Sequence, residues 1–290
     1  MKKKILNKIK MKKILLTGST GFVGSAILNE LSKNHTIYCL NRKKTKKTKN
    51  HNNIFFKSYN DLNSKLKKLR VNTVIHCATH YVKNHKFEDI SKLSESNILF
   101  GNIILENLSN MKVKNFINFS TVWENYNGVE HNCHNLYSVY KKNFSNLLKY
   151  YEKISPSISF YNLFISDTFG ETDKRPKIIN VLKKNYEKNF TTKIISSKLY
   201  LNLLNIKDII SSLSIVFDNK NKPGNYDLVN DKSYSISQII NAINKKNNKK
   251  IKVKWLNNKI IKERIYKNKK LVGWAPKNST IDDIVDVIKS

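Results

Sequence analysis

The sequence predicts an α/β fold in which a doubly wound parallel sheet carries helices on both faces and is followed by a smaller, partly interleaved C-terminal lobe. Two observations support this prediction. From residue 12 to about residue 163, apolar segments of strand length alternate with segments whose apolar residues recur at helical spacing. Three of the eight glycines also fall within seven residues, between the first strand and the first helix.

The elements follow in a regular order. The predicted strands are residues 12–17, 35–40, 53–56, 71–78, 114–120 and 158–163. The predicted helices are residues 22–31, about 62–69, about 91–108 and 135–151, and, where the alternation weakens, about 207–217, 235–245 and 281–289. The chain is thus predicted to comprise a basic tail or upstream start (1–10), a main domain (11–165) and a lobe (166–290) with segments returning to the main sheet.

The chain has 290 residues and a formal net charge of +33, of which +24 lies in residues 1–13, 42–49 and 245–270. Its hydrophobic content of 40% excludes a disordered basic tail protein. Only four of the 54 basic residues are Arg, whereas readout of nucleic acids depends on Arg and aromatic platforms. Because Lys codons are AT-rich, codon composition explains the excess of Lys better than a selected nucleic-acid surface does. No specific nucleic-acid partner is expected.

Three cysteines, Cys39, Cys77 and Cys133, fit no CxxC spacing, so the sequence predicts neither a disulfide framework nor a metal site. No apolar run approaches the roughly 20 residues that a membrane span needs. We expect a cytoplasmic protein without a membrane partner.

The glycine-rich turn lies between a strand and a helix and is followed by a second strand, the context that dinucleotide binding requires. Because glycine has no side chain, the backbone amides of the turn can approach a pyrophosphate closely. The N-terminus of the following helix adds a favourable dipole. The alternative is that the glycines serve only a tight turn that packing requires. The turn predicts a Rossmann-type domain with cofactor contacts from Gly18, Ser19, Thr20, Gly21, Phe22, Val23 and Gly24.

The end of the second strand distinguishes between the two nicotinamide cofactors. An acid there would bind the ribose 2′-hydroxyl of NAD, whereas a nearby Arg accommodates the 2′-phosphate of NADP. The sequence has Asn41 and Arg42 at this position and no acid. NADP(H) is therefore favoured over NAD, with Asn41 and Arg42 as contacts, and the lysines beyond Lys43 are expected to be solvated.

Tyr137 and Lys141 are four residues apart on a predicted helix and share a face. A neighbouring ammonium favours the phenolate and lowers a tyrosine pKa from about 10, which suits proton exchange near neutrality. Tyr140 is a second candidate for the tyrosine that exchanges the proton, but the residue four positions after it is Phe144 rather than a lysine. The alternative is that Tyr137 is only a packing residue and Lys141 only a solvated one.

Several motifs occur in one order: TGSTGFVG at 17–24, VIHCA at 74–78, Asn97, ST at 120–121 and YSVYK at 137–141. In this order they resemble the extended short-chain dehydrogenase/reductases, the family of nucleotide-sugar epimerases, dehydratases and reductases. The likeness is strong to about residue 180 and fainter at 205–208 and 273–276.

The resemblance implies roles for individual residues. Tyr137 would exchange the proton, Lys141 would also bind the nicotinamide ribose, and Thr121, rather than Ser120, would bind the substrate carbonyl oxygen. Cys77, Ala78 and Asn97 match further cofactor contacts. The likeness also implies a nucleotide-sugar partner and a homodimer formed through the helices at 91–108 and 135–151.

Departures from the family pattern narrow the expected reaction. The dehydratases carry an Asp-Glu pair directly after the catalytic Thr, but Val122 and Trp123 follow Thr121 here. Epimerases that retain NAD usually have an acid where Asn41 and Arg42 stand. Residues 162–177 resemble the reductases that make CDP-linked 3,6-dideoxyhexoses such as abequose and paratose. This implies NADPH-dependent reduction of the C4 keto group of a nucleotide-linked 4-keto-deoxyhexose, in surface-polysaccharide sugar biosynthesis.

Two alternatives stay open at this point: a redox-neutral epimerase with tightly bound NAD, and a non-catalytic nicotinamide-binding sensor or nucleic-acid binder on the same fold. Candidate substrate contacts follow strand ends or lie in the basic segment near residue 175, and ordinary packing or solvation is the alternative for each. These candidates are His80, Tyr81, Trp123, Arg175 and Lys177.

Overall fold

A computed structural model describes residues 11–43, 51–218, 220–246 and 250–290. The predicted tail at residues 1–10 and the basic residues 44–50 lie outside this range. By its internal contacts the chain divides into two compact units. Among the described residues, the first unit comprises residues 11–43, 51–81, 86–118 and 146–160, and the second comprises residues 82–85, 119–145, 161–218, 220–246 and 250–290. The domain limits given above remain a prediction.

The predicted alternation of strands and helices is present up to residue 165. In chain order the elements are β1 Lys13–Thr17, α1 Phe22–Leu31, β2 Thr36–Asn41, β3 Asn52–Phe55, α2 Tyr59–Lys68, β4 Thr73–His76, α3 Asp89–Ser94, α4 Phe100–Glu106, α5 Leu108–Met111, β5 Asn115–Thr121, α6 Leu136–Ile154 and β6 Ser159–Ile165. The predicted long helix at 91–108 is divided, because a π-helical turn, Glu95–Leu99, separates α3 from α4.

Beyond residue 165 the structure adds α7 and several short strands that the sequence patterns did not indicate. These elements are β7 Asp167–Phe169, α7 Ile178–Lys188, β8 Thr192–Ser196, β9 Leu199–Leu201, β10 Leu203–Asn205, α8 Ile206–Phe217, β11 Gly224–Leu228, β12 Tyr234–Ser235, α9 Ile236–Lys245, β13 Val253–Asn257, β14 Ile261–Lys262, β15 Lys269–Lys270 and α10 Ile281–Lys289. The three helices predicted in this region correspond to α8, α9 and α10.

Within the described ranges, eight strands form one parallel sheet in the order β15-β11-β6-β5-β4-β1-β2-β3. The predicted doubly wound sheet is therefore confirmed. In the first unit, β1 pairs with β2 on one side and with β4 on the other, so the strand order reverses there. Ligands of such sheets bind at the carboxyl ends of the strands beside this reversal. Thr17 and His76, paired across β1 and β4, mark that edge.

The second unit has a hydrophobic core of its own. The apolar residues of α9 and α10 recur at helical spacing, and a capping box begins each helix, at Ser235 and at Thr280. The capping boxes fix where the two helices begin, and the spacing of the apolar residues determines which face is buried. The buried residues of this core are Phe169, Ile179, Leu182, Ile194, Leu203, Ile236, Ile239, Ile240, Ile243, Ile251, Ile284, Val285, Val287 and Ile288.

Candidate active site

Two glycines of the turn after β1 are required by packing. Gly18 has φ +70°, and a Cβ on it would lie 2.7 Å from the backbone nitrogen of Ala78. A Cβ on Gly24 would overlap the carbonyl oxygen of Gly18. Gly21 differs, because its Cβ would meet only that carbonyl oxygen, at an ordinary 3.4 Å. Packing within the described chain thus explains Gly18 and Gly24, whereas close approach of a ligand would explain Gly21.

The start of α1 fits a dinucleotide. Gly21 is the exposed N-cap residue, and as a glycine it has no side chain that could cap the helix. Backbone N–H groups and the helix dipole therefore favour an anionic group in front of Gly21. This end of the first unit suits a pyrophosphate.

Asn41 connects the glycine turn to the second and third strands. Its side-chain oxygen accepts a 3.3 Å hydrogen bond from Ser19 Oγ, and its amide nitrogen donates to Asn53 Oδ1 at 3.0 Å. Asn41 is buried, and Arg42, directly after it, is exposed. The two residues predicted to contact the cofactor thus lie beside the turn, Asn41 in a polar network and Arg42 at the surface.

Thr17 organises the backbone at the end of β4. Its hydroxyl oxygen accepts hydrogen bonds from the N–H groups of Cys77 (3.2 Å) and Ala78 (3.1 Å). The same oxygen lies 3.0 Å from His76 Nδ1, to which the hydroxyl proton is then directed. Cys77 and Ala78, predicted as cofactor contacts, are thereby placed beside Gly18. No role for Thr17 was predicted from the sequence.

Asn97 lies in the π-helical turn, is 2% exposed and binds the loop that follows β4. Its Oδ1 accepts hydrogen bonds from Thr79 Oγ1 (2.8 Å) and the backbone N–H of His80 (2.7 Å), and its Nδ2 donates to the carbonyl oxygen of His80 (3.0 Å). The amide thus positions the loop that carries the substrate candidates His80 and Tyr81. Cofactor contact by Asn97 stays a prediction.

The predicted catalytic residues all belong to the second unit. Thr121 ends β5, and its Oγ1 accepts a 3.3 Å hydrogen bond from the backbone N–H of Trp123. Tyr137 and Lys141 are one turn apart on α6, as predicted. Lys141 is 3% exposed, and its Nζ donates a hydrogen bond to the carbonyl oxygen of Phe119. The structure therefore brings Lys141 to the strand that ends in Thr121.

A buried acid behind this strand end was not predicted. Glu124 is 0% exposed, and its Oε1 accepts hydrogen bonds from the hydroxyls of Ser120 and Ser145. Burial raises the pKa of Glu124, and the two hydroxyl donors partly oppose that shift. Ser145 in turn accepts a 3.0 Å hydrogen bond from Asn162. The Ser120 hydroxyl is thus engaged inside the protein, which leaves Thr121 as the better candidate for the substrate oxygen.

Trp123 and Glu263 form a second unpredicted contact, although Trp123 itself was a substrate candidate. The indole Nε1 donates a 3.3 Å hydrogen bond to Glu263 Oε2. Burial raises the pKa of Glu263 to about 7; the indole donor lowers it and the charge of Asp167 raises it further. Because 140 residues separate Trp123 from Glu263, no local pattern could have paired them.

Arg175 and Lys177, predicted to meet a pyrophosphate, bind acids of their own unit. Arg175 donates to both carboxylate oxygens of Asp173, at 2.8 and 2.7 Å, and to the carbonyl and hydroxyl oxygens of Thr168. Lys177 pairs with Asp167 at 2.6 Å. Their contact with a substrate stays a prediction.

None of the helices in the described ranges is both long and apolar enough to cross a membrane. No cluster of three or more His, Cys, Asp or Glu side chains in those residues is arranged to bind a metal ion.

Comparisons with known proteins agree with this fold. A CDP-abequose synthase from Salmonella muenchen is 27% identical over 248 residues, which cover 84% of each chain. The solved UDP-N-acetylglucosamine 4-epimerase from Methanobrevibacter ruminantium M1 superimposes with a TM-score of 0.80 at 17% identity, over 97% of this chain and 98% of that chain. The UDP-glucuronic acid 4-epimerase from Bacillus cereus, solved with UDP-glucuronic acid and NAD, gives 0.77 at 21% identity, over 96% and 99%.

The model of the family described as "NAD dependent epimerase/dehydratase family" matches residues 14–230, which is most of the chain. This stretch includes the glycine turn, Thr121, Tyr137 and Lys141. The resemblance stated from the sequence is therefore confirmed, and the chain belongs to the NAD dependent epimerase/dehydratase family.

Proposed function

We propose that the protein is an NADPH-dependent reductase that acts on the C4 keto group of a nucleotide-linked 4-keto-deoxyhexose. The observation that carries this proposal is the end of β2, where buried Asn41 and exposed Arg42 replace the acid expected for NAD. A cofactor that enters reduced and leaves oxidised suits a net reduction. The CDP-abequose synthase relative, aligned over 84% of each chain, supports a CDP-linked dideoxyhexose as the product class.

The first unit would bind the cofactor. The pyrophosphate would lie in front of Gly21 at the start of α1, and Arg42 would pair with the 2′-phosphate. Thr17 fixes the backbone of Cys77 and Ala78 beside that position. When bound, the nicotinamide supplies the hydride for the sugar C4.

The second unit would supply the proton. The Tyr137 hydroxyl protonates the oxygen of the C4 carbonyl as negative charge develops there, and the Thr121 hydroxyl donates a hydrogen bond to the same oxygen. Lys141 contributes positive charge on the same face of α6, which favours the phenolate that Tyr137 becomes. Its hydrogen bond to the Phe119 carbonyl orients the ammonium at the end of β5.

The proposal is tested by adding NADPH and a 4-keto-deoxyhexose linked to CDP, dTDP, UDP or GDP to the purified protein. We expect loss of absorbance at the nicotinamide band with at least one of these substrates, and faster loss with NADPH than with NADH. No oxidation with any of them would overturn the reductase. Copurified NAD together with interconversion of C4 epimers would instead establish the redox-neutral epimerase.

Tyr137→Phe should abolish turnover and leave cofactor binding intact. Tyr140→Phe, one residue before Lys141 on the same helix, is the matched control and should retain activity. Turnover that survives Tyr137→Phe would remove Tyr137 from its role. Nucleic-acid binding that depends steeply on salt and is indifferent to Tyr137→Phe would favour a non-catalytic binder.

A further inference from the structure

A cleft in the second unit begins beside the catalytic strand end. It is open to solvent, and Trp123, Ser166, Asp167, Tyr200 and Glu263 are among the residues that line it. The backbone N–H of Trp123 is hydrogen-bonded to the Thr121 hydroxyl, so the cleft starts two residues from the group proposed to contact the substrate oxygen.

Two features of this cleft point to a polar ligand. Ser166 is 6% exposed, and its Oγ has no hydrogen-bond partner among the described residues. Buried hydroxyls are nearly always paired, so this one lacks an internal reason to be polar. Glu263 presents the second group, because its Oε2 accepts from the Trp123 indole and its Oε1 accepts nothing from the described part of the chain.

The charge of the cleft restricts the ligand. Glu263 is the one acid in a stretch, residues 245–270, that holds 12 basic residues, yet it faces the cleft. Asp167 adds a second carboxylate, whose charge is balanced by Lys177 at 2.6 Å. The negative charge of Glu263 would therefore repel an anionic ligand group, whereas a hydroxyl group can donate a hydrogen bond to this carboxylate.

We infer that Glu263 is a specificity-determining residue, which accepts a hydrogen bond from a hydroxyl of an uncharged sugar and excludes sugars that carry a carboxylate. Ser166 Oγ binds a second polar group of the same sugar. This inference rests on the proposed nucleotide-sugar substrate, and it concerns selection among such sugars rather than the reaction performed on them.

The test measures binding to the full-length protein by calorimetry at pH 8, with CDP-glucose and CDP-glucuronate as a matched pair that differs in one carboxylate. We expect CDP-glucose to bind at least about tenfold more tightly than CDP-glucuronate. Glu263→Gln should reduce that ratio to within about threefold, mainly by tightening the binding of CDP-glucuronate. Glu130→Gln, which removes an exposed acid of the same unit, should leave the ratio unchanged.

Ser166→Ala should weaken CDP-glucose binding about fivefold to tenfold, because one hydrogen bond is lost. A ratio that Glu263→Gln does not change, equal binding of both sugars by the unaltered protein, or binding of neither would overturn the inference. Binding that follows these expectations in a protein that oxidises no NADPH would overturn the reductase alone. The two failures are therefore distinguishable.

Discussion

The Nζ atom of Lys141 donates a 2.6 Å hydrogen bond to the carbonyl oxygen of Phe119. Phe119 stands two residues before Thr121, so a single contact fixes the lysine of α6 against the strand that carries the other catalytic candidate. An ammonium that is 3% exposed requires such a partner, because burial of an unpaired charge is costly. The lysine predicted for chemistry thus also has a structural role.

We expect Lys141→Met to lower kcat for NADPH oxidation by about 100-fold or more, since both the charge that favours the Tyr137 phenolate and the proposed contact with the nicotinamide ribose are lost. Lys142→Met, at the adjacent position on α6, is the control and should retain most activity. Steady-state kinetics with circular dichroism separates lost chemistry from lost folding. Full activity in a folded Lys141→Met protein would contradict the assignment.

Arg42→Ala should raise KM for NADPH about tenfold or more and leave KM for NADH nearly unchanged, because only NADP carries the 2′-phosphate. Arg70→Ala provides a matched control: Arg70 is also exposed and donates to backbone carbonyls near the end of α2. Equal effects of Arg42→Ala on the two cofactors would show that the residue does not discriminate between them.

Glu124→Ala should destabilise the protein by about 2–4 kcal/mol, since the buried hydroxyls of Ser120 and Ser145 lose their acceptor and a cavity remains. Glu124→Gln should cost much less, because the amide oxygen can accept the same two hydrogen bonds. Urea denaturation of the two variants and the unaltered protein measures the difference. Equal losses for Ala and Gln would mean that the carboxylate charge, rather than the acceptor oxygen, is what the site requires.

Local patterns predicted what depends on neighbours in the sequence. The turn with Gly18 and Gly24, the strands around it and the pair on α6 follow from periodicity and spacing, and the structure contains them. Asn97 illustrates the limit, because its residue type was singled out but its role in fixing the His80 loop depends on a π-helical turn. Glu263 and Trp123, 140 residues apart, meet only through the fold. No periodicity encodes such a contact, so the acid of the cleft could not be predicted.

The two faint C-terminal likenesses to the family, at residues 205–208 and 273–276, meet in the structure. Asp208 is 1% exposed and accepts hydrogen bonds from the backbone N–H groups of Lys277 and Asn278 and from the Ser279 hydroxyl. Trp274 Nε1 donates to the carbonyl oxygen of Asp208 at 2.9 Å. These segments therefore have a structural role.

Asp208→Ala should lower the free energy of unfolding by about 3 kcal/mol, because several donors, among them the buried Ser279 hydroxyl, lose one shared acceptor. Asp218→Ala, at the C-terminal end of the same helix and exposed, is the control and should change it by less than about 0.5 kcal/mol. Chemical denaturation measures both. A small loss for Asp208→Ala would indicate that solvent replaces the carboxylate.

Glu263 should make stability fall as the pH rises. Burial raises its pKa from 4.5 to about 7, so between these values the folded protein keeps a proton that the unfolded chain has released. Its contribution is fully present below about pH 4.5 and is lost as the pH passes 7. Glu263→Gln cannot titrate and should be comparable to the unaltered protein at pH 4.5 but more stable than it at pH 8. Urea midpoints at both pH values test this, and a difference that is independent of pH would contradict the raised pKa.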